Sequence, residues 1–124
     1  PYGYTGIMTL TEYHPQIYPF FLWVAKGADD SLLDEFEIDK DGYVGSLAQN
    51  AITTVSTYHK ETMERGVLVF GRLKKDFTVM NCAHEAVHVA DFAFQVFGIK
   101  KLDYNDANEA YAYLVGWAAN SIYK

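Results

Sequence analysis

The alternation of apolar and polar positions divides the chain into strands in its first part and helices at its end. Residues 17–25 and 66–73 are β-branched and aromatic runs that are too short for buried helices, so they predict two strands. Looser alternation over residues 51–59 predicts a third strand, and the short alternation over residues 7–10 predicts a fourth. Strands followed by two helices are typical of an α+β fold, here as a single domain over residues 1–124.

Two helices are predicted in the last third of the chain. Residues 79–99 are apolar at nearly every position except for one polar stripe, which stays within about 60° of one line along a helix. A helix that is apolar on most of its circumference is buried, so we expect burial here, with a cap at Asp76 or Thr78 and an end at Gly98. A polar loop over residues 100–105 then leads to the last helix, residues 108–123. The stripe consists of Asn81, His84, His88, Asp91 and Gln95.

Two shorter elements are predicted between the first strands. Residues 31–36 have the pattern of a short helix, which the preceding turn at residues 27–30 caps. Residues 37–45 match the first positions of a calcium-binding EF-hand loop, but its twelfth position is Ala48, where a glutamate is required. The pair Asp41 and Gly42 therefore predicts a plain hairpin or turn rather than a calcium site.

The chemistry is concentrated in His84, Glu85 and His88, which form an HExxH pattern on the predicted helix. Two histidines four residues apart stand one above the other on one helix face, where both imidazoles can bind one Zn²⁺. The glutamate between them then lies beside the metal as a general base for its bound water. A buried polar stripe costs free energy unless its groups are paired or bind a metal. The alternative is a stripe of histidines that bond to neighbouring groups without a metal.

A catalytic zinc site needs a third protein ligand, and the sequence offers Asp91 and Glu109. Asp91 lies two turns beyond His84, about 10 Å along the helix axis, which is far for a short side chain. We therefore expect Asp91 to orient an imidazole through its free N–H, and Glu109 to be the ligand. Glu109 has a longer side chain, and small residues beside it would let its helix approach the histidines closely.

Other side chains are candidates for binding the substrate or the oxyanion. An oxyanion requires a hydrogen-bond donor, which Tyr58, His59, Tyr104, Tyr111 or Tyr113 could supply. By analogy with other folds, the strand at residues 66–73 is expected to line the cleft and to bind an extended peptide by strand addition. Cys82 lies about 160° from His84 around the helix, so it is predicted to be a core residue.

These residues resemble the zinc signature of gluzincin metallopeptidases, the thermolysin-like class. In that class the third ligand is a glutamate in an Asn-Glu segment of a following helix, as in Asn108, Glu109 and Ala110. The chain is also similar to small HExxH proteins encoded by bacteriophages and prophages, in which a pair such as Gly116 and Trp117 closes the motif. Gluzincins carry an aspartate four residues after the ligand glutamate, where this chain has Tyr113. The resemblance implies a small zincin-like domain with one Zn²⁺ ion.

Composition and charge narrow the classes of partner. The net charge of −6 and the absence of a basic stripe argue against nucleic-acid binding. No apolar run approaches the roughly 20 residues of a membrane span. The single cysteine excludes an internal disulfide and indicates a reducing, cytoplasmic setting. The chain begins at Pro1 rather than at methionine and has no recognisable signal peptide, so an N-terminal piece could be missing.

The sequence therefore predicts a zinc-dependent metallopeptidase, or a related amide hydrolase, that acts on a peptide or protein substrate. Its metal ligands are His84, His88 and Glu109, and Glu85 is its general base. The alternative is a catalytically inactive zincin-like binding protein. In a third possibility the chain completes its site with a partner or as a dimer.

Overall fold

Four strands and four helices make up the part of the chain that the computed structural model describes, which is residues 7–16, 18–49, 52–96 and 104–124, without the side chains of residues 49 and 104–108. The predicted α+β class is confirmed. In chain order the elements are β1 (Thr9–Tyr13), β2 (Phe21–Lys26), α1 (Leu32–Glu35), α2 (Lys40–Gln49), β3 (Thr53–Tyr58), β4 (Arg65–Gly71), a 3₁₀ turn (Lys74–Asp76), α3 (Val79–Val96) and α4 (Tyr104–Tyr123).

The strands form one mixed sheet in the order β1-β2-β4-β3. The two predicted apolar runs, β2 and β4, are parallel neighbours at its centre, and β1 and β3 pair antiparallel on either side. Because β4 is hydrogen-bonded along both edges, the expectation that residues 66–73 bind a peptide by strand addition is wrong. Among the described strands, β1 has an open edge, and β3 has one over its first residues only, because Phe36 pairs with His59 and the N–H of Glu37 donates to the carbonyl of Tyr58.

Alternate residues of the central strands pack into two separate cores. On one face Leu22, Val24, Val67 and Val69 pack with buried residues of α3 and α4, including Ala86 and Leu114. On the other face the core contains Trp23, Ala25, Leu68 and Phe70 together with Leu32, Phe36 and Tyr43, which belong to or adjoin α1 and α2. Apolar residues on both faces explain why β2 and β4 read as continuous runs rather than as alternating ones.

Residues 40–49 are a helix, α2, so the predicted hairpin or turn at Asp41 and Gly42 is wrong. Asp39 caps this helix, because its Oδ2 accepts a 2.8 Å hydrogen bond from the backbone N–H of Gly42. Tyr43 on α2 is fully buried, and its hydroxyl donates a 2.6 Å hydrogen bond to the carbonyl of Asp29. The cap and the buried tyrosine outweigh the low helix propensity of the two glycines in this segment.

The ends of the C-terminal helices agree in part with the predictions. Thr78 caps α3, since its Oγ1 accepts a hydrogen bond of 3.2 Å from the N–H of Asn81. The predicted stop at Gly98 and most of the predicted loop lie outside the described residues, but Tyr104 and Asn105 are already helical.

Ile17, where the first long strand was predicted to begin, is also outside the described residues, and β2 begins at Phe21. No helix in the described ranges is both long and apolar enough to cross a membrane.

Candidate metal and catalytic site

The face of α3 that carries the two histidines points to solvent. Residues spaced three and four apart face the core, as an amphipathic helix requires: Cys82, Ala86, Val89, Ala90 and Ala93. The opposite face carries exposed apolar residues beside the histidines, with Met80 77% exposed and Val87 39% exposed. The expectation that the polar stripe lies on a helix buried on most of its circumference is therefore wrong. Cys82 is a core residue as predicted, and burial raises the pKa of its thiol.

The two imidazoles lie side by side, as their spacing of four residues predicts. The ring centroids of His84 and His88 are 5.1 Å apart, and the rings meet edge to face. The side chain of His84 is 69% exposed, so a metal ion and a substrate can both reach it from solvent. Two imidazoles on one exposed face are a suitable pair of donors for a divalent transition metal such as zinc.

Glu85 differs from His84 and His88 because it is buried, with only 7% of its surface exposed. One carboxylate oxygen, Oε1, accepts a 2.7 Å hydrogen bond from the hydroxyl of Thr54 on β3. The other oxygen, Oε2, lies 3.9 Å from Nε2 of His84. The carboxylate is thus held by the sheet on one side and lies near His84 on the other.

Asp91 connects α3 to α4. Its Oδ1 accepts a 2.8 Å hydrogen bond from the hydroxyl of Tyr111, whose ring also packs edge to face on Phe94 at 5.7 Å. Burial, the hydrogen bond to Asp91 and the charge of Asp91 together raise the pKa of the Tyr111 phenol. The predicted role of Asp91 in orienting an imidazole stays a prediction, and Tyr111 would have to leave Asp91 before its proton could stabilise an oxyanion.

Glu109 is exposed and does not form a group of three possible ligands with His84 and His88. It precedes Tyr111 by two residues, so it lies about 200° from Tyr111 around α4, on the side away from α3. Within the part of the chain that the structure describes, no three His, Cys, Asp or Glu side chains lie close enough together to hold a metal ion. The role of Glu109 as third ligand therefore stays a prediction.

The remaining candidates for binding an oxyanion or substrate are spread over the molecule. Tyr113 is half-exposed and lies 6.4 Å from Tyr18, ring to ring. His59 follows β3 and contacts Phe36 and Glu35, about 16 Å along an extended chain from Thr54. The ring of Tyr58 lies under the guanidinium group of Arg65. Tyr104 starts α4, and its side chain is outside the described set.

Thr54 is a residue of this site that no sequence pattern indicates. It lies 31 residues before Glu85 in a strand with three threonines and one serine, and no motif distinguishes it from the others. Its position depends on the pairing of β3 with β4 and on the packing of α3 against the sheet, which are long-range features. No local pattern in the sequence gives either of them.

Two clefts lie away from the histidines, on the side of the sheet that α1 and α2 cover. The larger, of about 760 Å³, lies between residues 28–31, one side of α2 and the residues that follow β4. The smaller, of about 260 Å³, is lined by residues that include Ile38, Tyr43 and Val55. Neither is lined by His84, Glu85 or His88.

Comparisons of the chain with protein-family models, with curated proteins and with solved structures find no match. The assignment of a function therefore depends on the site itself.

Proposed function

We propose that the protein is a zinc-dependent metallopeptidase or a related amide hydrolase, in which His84 and His88 bind one Zn²⁺ ion and Glu85 is the general base. The observation that carries the proposal is the position of Glu85. Its carboxylate is held by Thr54 at 2.7 Å through one oxygen, and its other oxygen lies 3.9 Å from a nitrogen of His84. A general base must be fixed within reach of the proton that it removes.

The donor set fits zinc at two positions. His84 and His88 present neighbouring imidazoles on an exposed face, where the remaining coordination positions are open to a further ligand, water and substrate. When bound, zinc would polarise the substrate carbonyl and lower the pKa of its water towards about 7. The role of Glu85 is then to accept the proton of the attacking water at Oε2, while Oε1 stays bonded to Thr54.

We propose Glu109 as the third ligand because the segment Asn108, Glu109 and Ala110 resembles the gluzincin pattern. In the described arrangement its side chain is exposed, on the far side of α4 from Tyr111. Binding by Glu109 thus requires the first turns of α4 to rotate or shift towards α3. This requirement makes Glu109 the weakest of the three proposed ligands and the most informative to mutate.

An extended peptide is the proposed substrate class, and β3 is the strand that it would pair with. Among the described strands, β3 has an edge that is open around Thr54 and closed at its other end, where Phe36 pairs with His59 and the N–H of Glu37 donates to the carbonyl of Tyr58. Thr54 also contacts the proposed general base. Strand addition satisfies the backbone groups of an extended peptide whatever its side chains are. A cytoplasmic location is part of the proposal and rests on the single cysteine, Cys82.

A second candidate function is that of a metal-binding protein without catalysis. It is favoured by the two, rather than three, ligands that the described residues bring together. A partner or a second copy of the chain could supply the missing ligand, and the exposed Met80 and Val87 beside the histidines would suit such a contact.

Zinc content and hydrolysis of fluorescein-labelled casein, measured together, test the proposal. We expect about one zinc per chain and casein hydrolysis that Glu85→Gln abolishes without loss of zinc. Glu61→Gln, which changes an exposed carboxylate in the loop after β3, is the matched control and should leave both unchanged. If the protein binds one zinc per chain but Glu85→Gln does not reduce casein hydrolysis, or no hydrolysis is seen, the metal-binding protein without catalysis is favoured. A protein that binds no zinc would exclude both functions.

A further inference from the structure

The β3 strand brings one hydroxyl group to the helix that carries the proposed site. Side chains alternate along a strand, and Val55 and Thr57 face the α1 and α2 side, where Thr57 bonds the carbonyl of Glu37. Thr54 therefore faces α3. Its backbone is fixed by pairing with Val69 of the central strand β4. The hydroxyl of Thr54 is thus presented to α3 from a rigid position.

We propose that Thr54 is a positioning residue for Glu85, holding one carboxylate oxygen so that the other lies on the side of His84. This inference rests on the proposed function, since a positioning role has meaning only if Glu85 acts as a base. It adds a residue that lies outside the HExxH pattern and outside both C-terminal helices.

The burial of Glu85 makes the hydrogen bond necessary. Because Glu85 is only 7% exposed, its carboxylate has lost most of its water and requires a donor from the protein. In the described part of the chain, the Thr54 hydroxyl is the side-chain group that donates to it. A hydrogen bond to a charged group is worth more than one between neutral groups, so this bond is strong enough to select one orientation of the carboxylate.

The two carboxylate oxygens consequently have different surroundings. Oε1 accepts the hydrogen bond from Thr54, whereas Oε2 lies 3.9 Å from Nε2 of His84, which is beyond hydrogen-bond distance. Threonine is stiff at its first side-chain torsion because it is branched at Cβ, so its hydroxyl is held in few orientations. Valine has the same shape without the donor, and serine has the donor without the branch.

The experiment compares Thr54→Val, Thr54→Ser and Thr53→Val in the full chain. Thr53 is the preceding residue of β3, and its side chain faces the opposite side of the sheet, so Thr53→Val is the matched control. The first measurement is urea unfolding of the metal-free proteins, with and without Glu85→Ala. The second is kcat and KM for hydrolysis of fluorescein-labelled casein by the zinc-loaded proteins.

We expect Thr54→Val to lower the folding equilibrium constant by about tenfold when Glu85 is present and by much less in the Glu85→Ala background. We expect it to lower kcat by about 10- to 100-fold with KM little changed, as for other residues that orient catalytic groups. Thr54→Ser should restore most of kcat, and Thr53→Val should leave kcat unchanged.

The outcomes separate this inference from the proposed function. Equal effects of Thr54→Val with and without Glu85 would overturn the inference, whatever the activity. If Thr54→Val lowers stability only when Glu85 is present but leaves kcat unchanged, the positioning role is also overturned. The metallopeptidase proposal would then remain intact. Zinc-loaded wild-type protein without casein hydrolysis would contradict the proposed function, and the positioning role would fall with it.

Discussion

The hydroxyl of Tyr111 donates a 2.8 Å hydrogen bond to Oδ1 of Asp91, joining α4 to α3 across 20 residues of sequence. The bond fixes more than the contact between the helices. It also fixes the rotation of α4 about its own axis, because Tyr111 must face Asp91. With Tyr111 in that direction, Glu109 is directed away from the histidines. The hydrogen bond between Tyr111 and Asp91 and the proposed zinc site therefore require different rotations of the first turns of α4.

Loss of this hydrogen bond should weaken the packing of α4. We expect Tyr111→Phe to lower the free energy of unfolding by about 1–2 kcal/mol, because Asp91 loses its donor while the ring can still pack on Phe94. Tyr113→Phe removes a hydroxyl from a half-exposed ring two residues later and is the control. Urea unfolding of the metal-free proteins measures both, and equal effects of the two variants would contradict the assignment.

Glycine is required at Gly66 by the close approach of two strands. A Cβ built there would lie 2.4 Å from the carbonyl oxygen of Phe21 and 2.7 Å from the Trp23 ring. Because that oxygen belongs to the backbone of a central strand, it cannot move away cheaply. We expect Gly66→Ala to lower the free energy of unfolding by about 1–3 kcal/mol, as overpacking of a rigid core does.

Gly116 provides the matched control, since it lies in α4 with open space where its Cβ would be. Gly116→Ala should stabilise the protein by up to about 1 kcal/mol through helix propensity. Thermal unfolding of both variants tests the pair. A Gly66→Ala variant as stable as the wild type would show that β2 and β4 do not approach each other this closely at Gly66.

The stability of the protein in acid should depend on Glu12. The pKa of this carboxyl is lowered below its ordinary value of 4.5, first by the hydrogen bond from Nε1 of Trp23 at 2.9 Å and then by His14. The folded protein thus binds this proton less tightly than the unfolded chain does. The stabilisation is fully present above pH 4.5 and is lost as the pH falls through the lower folded value.

Glu12→Gln should therefore make stability less dependent on pH below 4.5. The effect is expected to be small because the carboxylate is half-exposed to solvent. Unfolding followed by tryptophan fluorescence across this pH range measures it, since Trp23 is the bonding partner. Parallel acid profiles for the two proteins would rule out this role of Glu12.

The sequence predicted the secondary structure correctly where the pattern within one segment determines that segment's structure. The apolar runs of β2 and β4, the start of α3 and the cap at Thr78 follow from local patterns. It failed at α2, where Asp41 and Gly42 suggested a turn. The segment forms a helix instead because Asp39 caps it and because Tyr43 is buried in the core on the α1 and α2 face of the sheet.

The candidate site was predictable only as far as it lies within one helix. The spacing of His84 and His88 fixes their side-by-side arrangement, whatever surrounds them. Which face of α3 would be exposed depended on where the sheet and α4 pack, and apolar residues such as Met80 and Val87 on the exposed side concealed it. The contact of Glu85 with Thr54 and the outward direction of Glu109 also arise from tertiary packing.

X-ray absorption at the zinc edge of the zinc-loaded protein tests the central claim most directly, with His84→Ala, Glu109→Gln and His14→Ala as variants. The account predicts a four-coordinate site with two imidazole ligands in the wild type and in His14→Ala, one imidazole fewer in His84→Ala, and loss of one carboxylate oxygen in Glu109→Gln. A spectrum of the wild type with fewer than two imidazoles, or one that His84→Ala leaves unchanged, would contradict it.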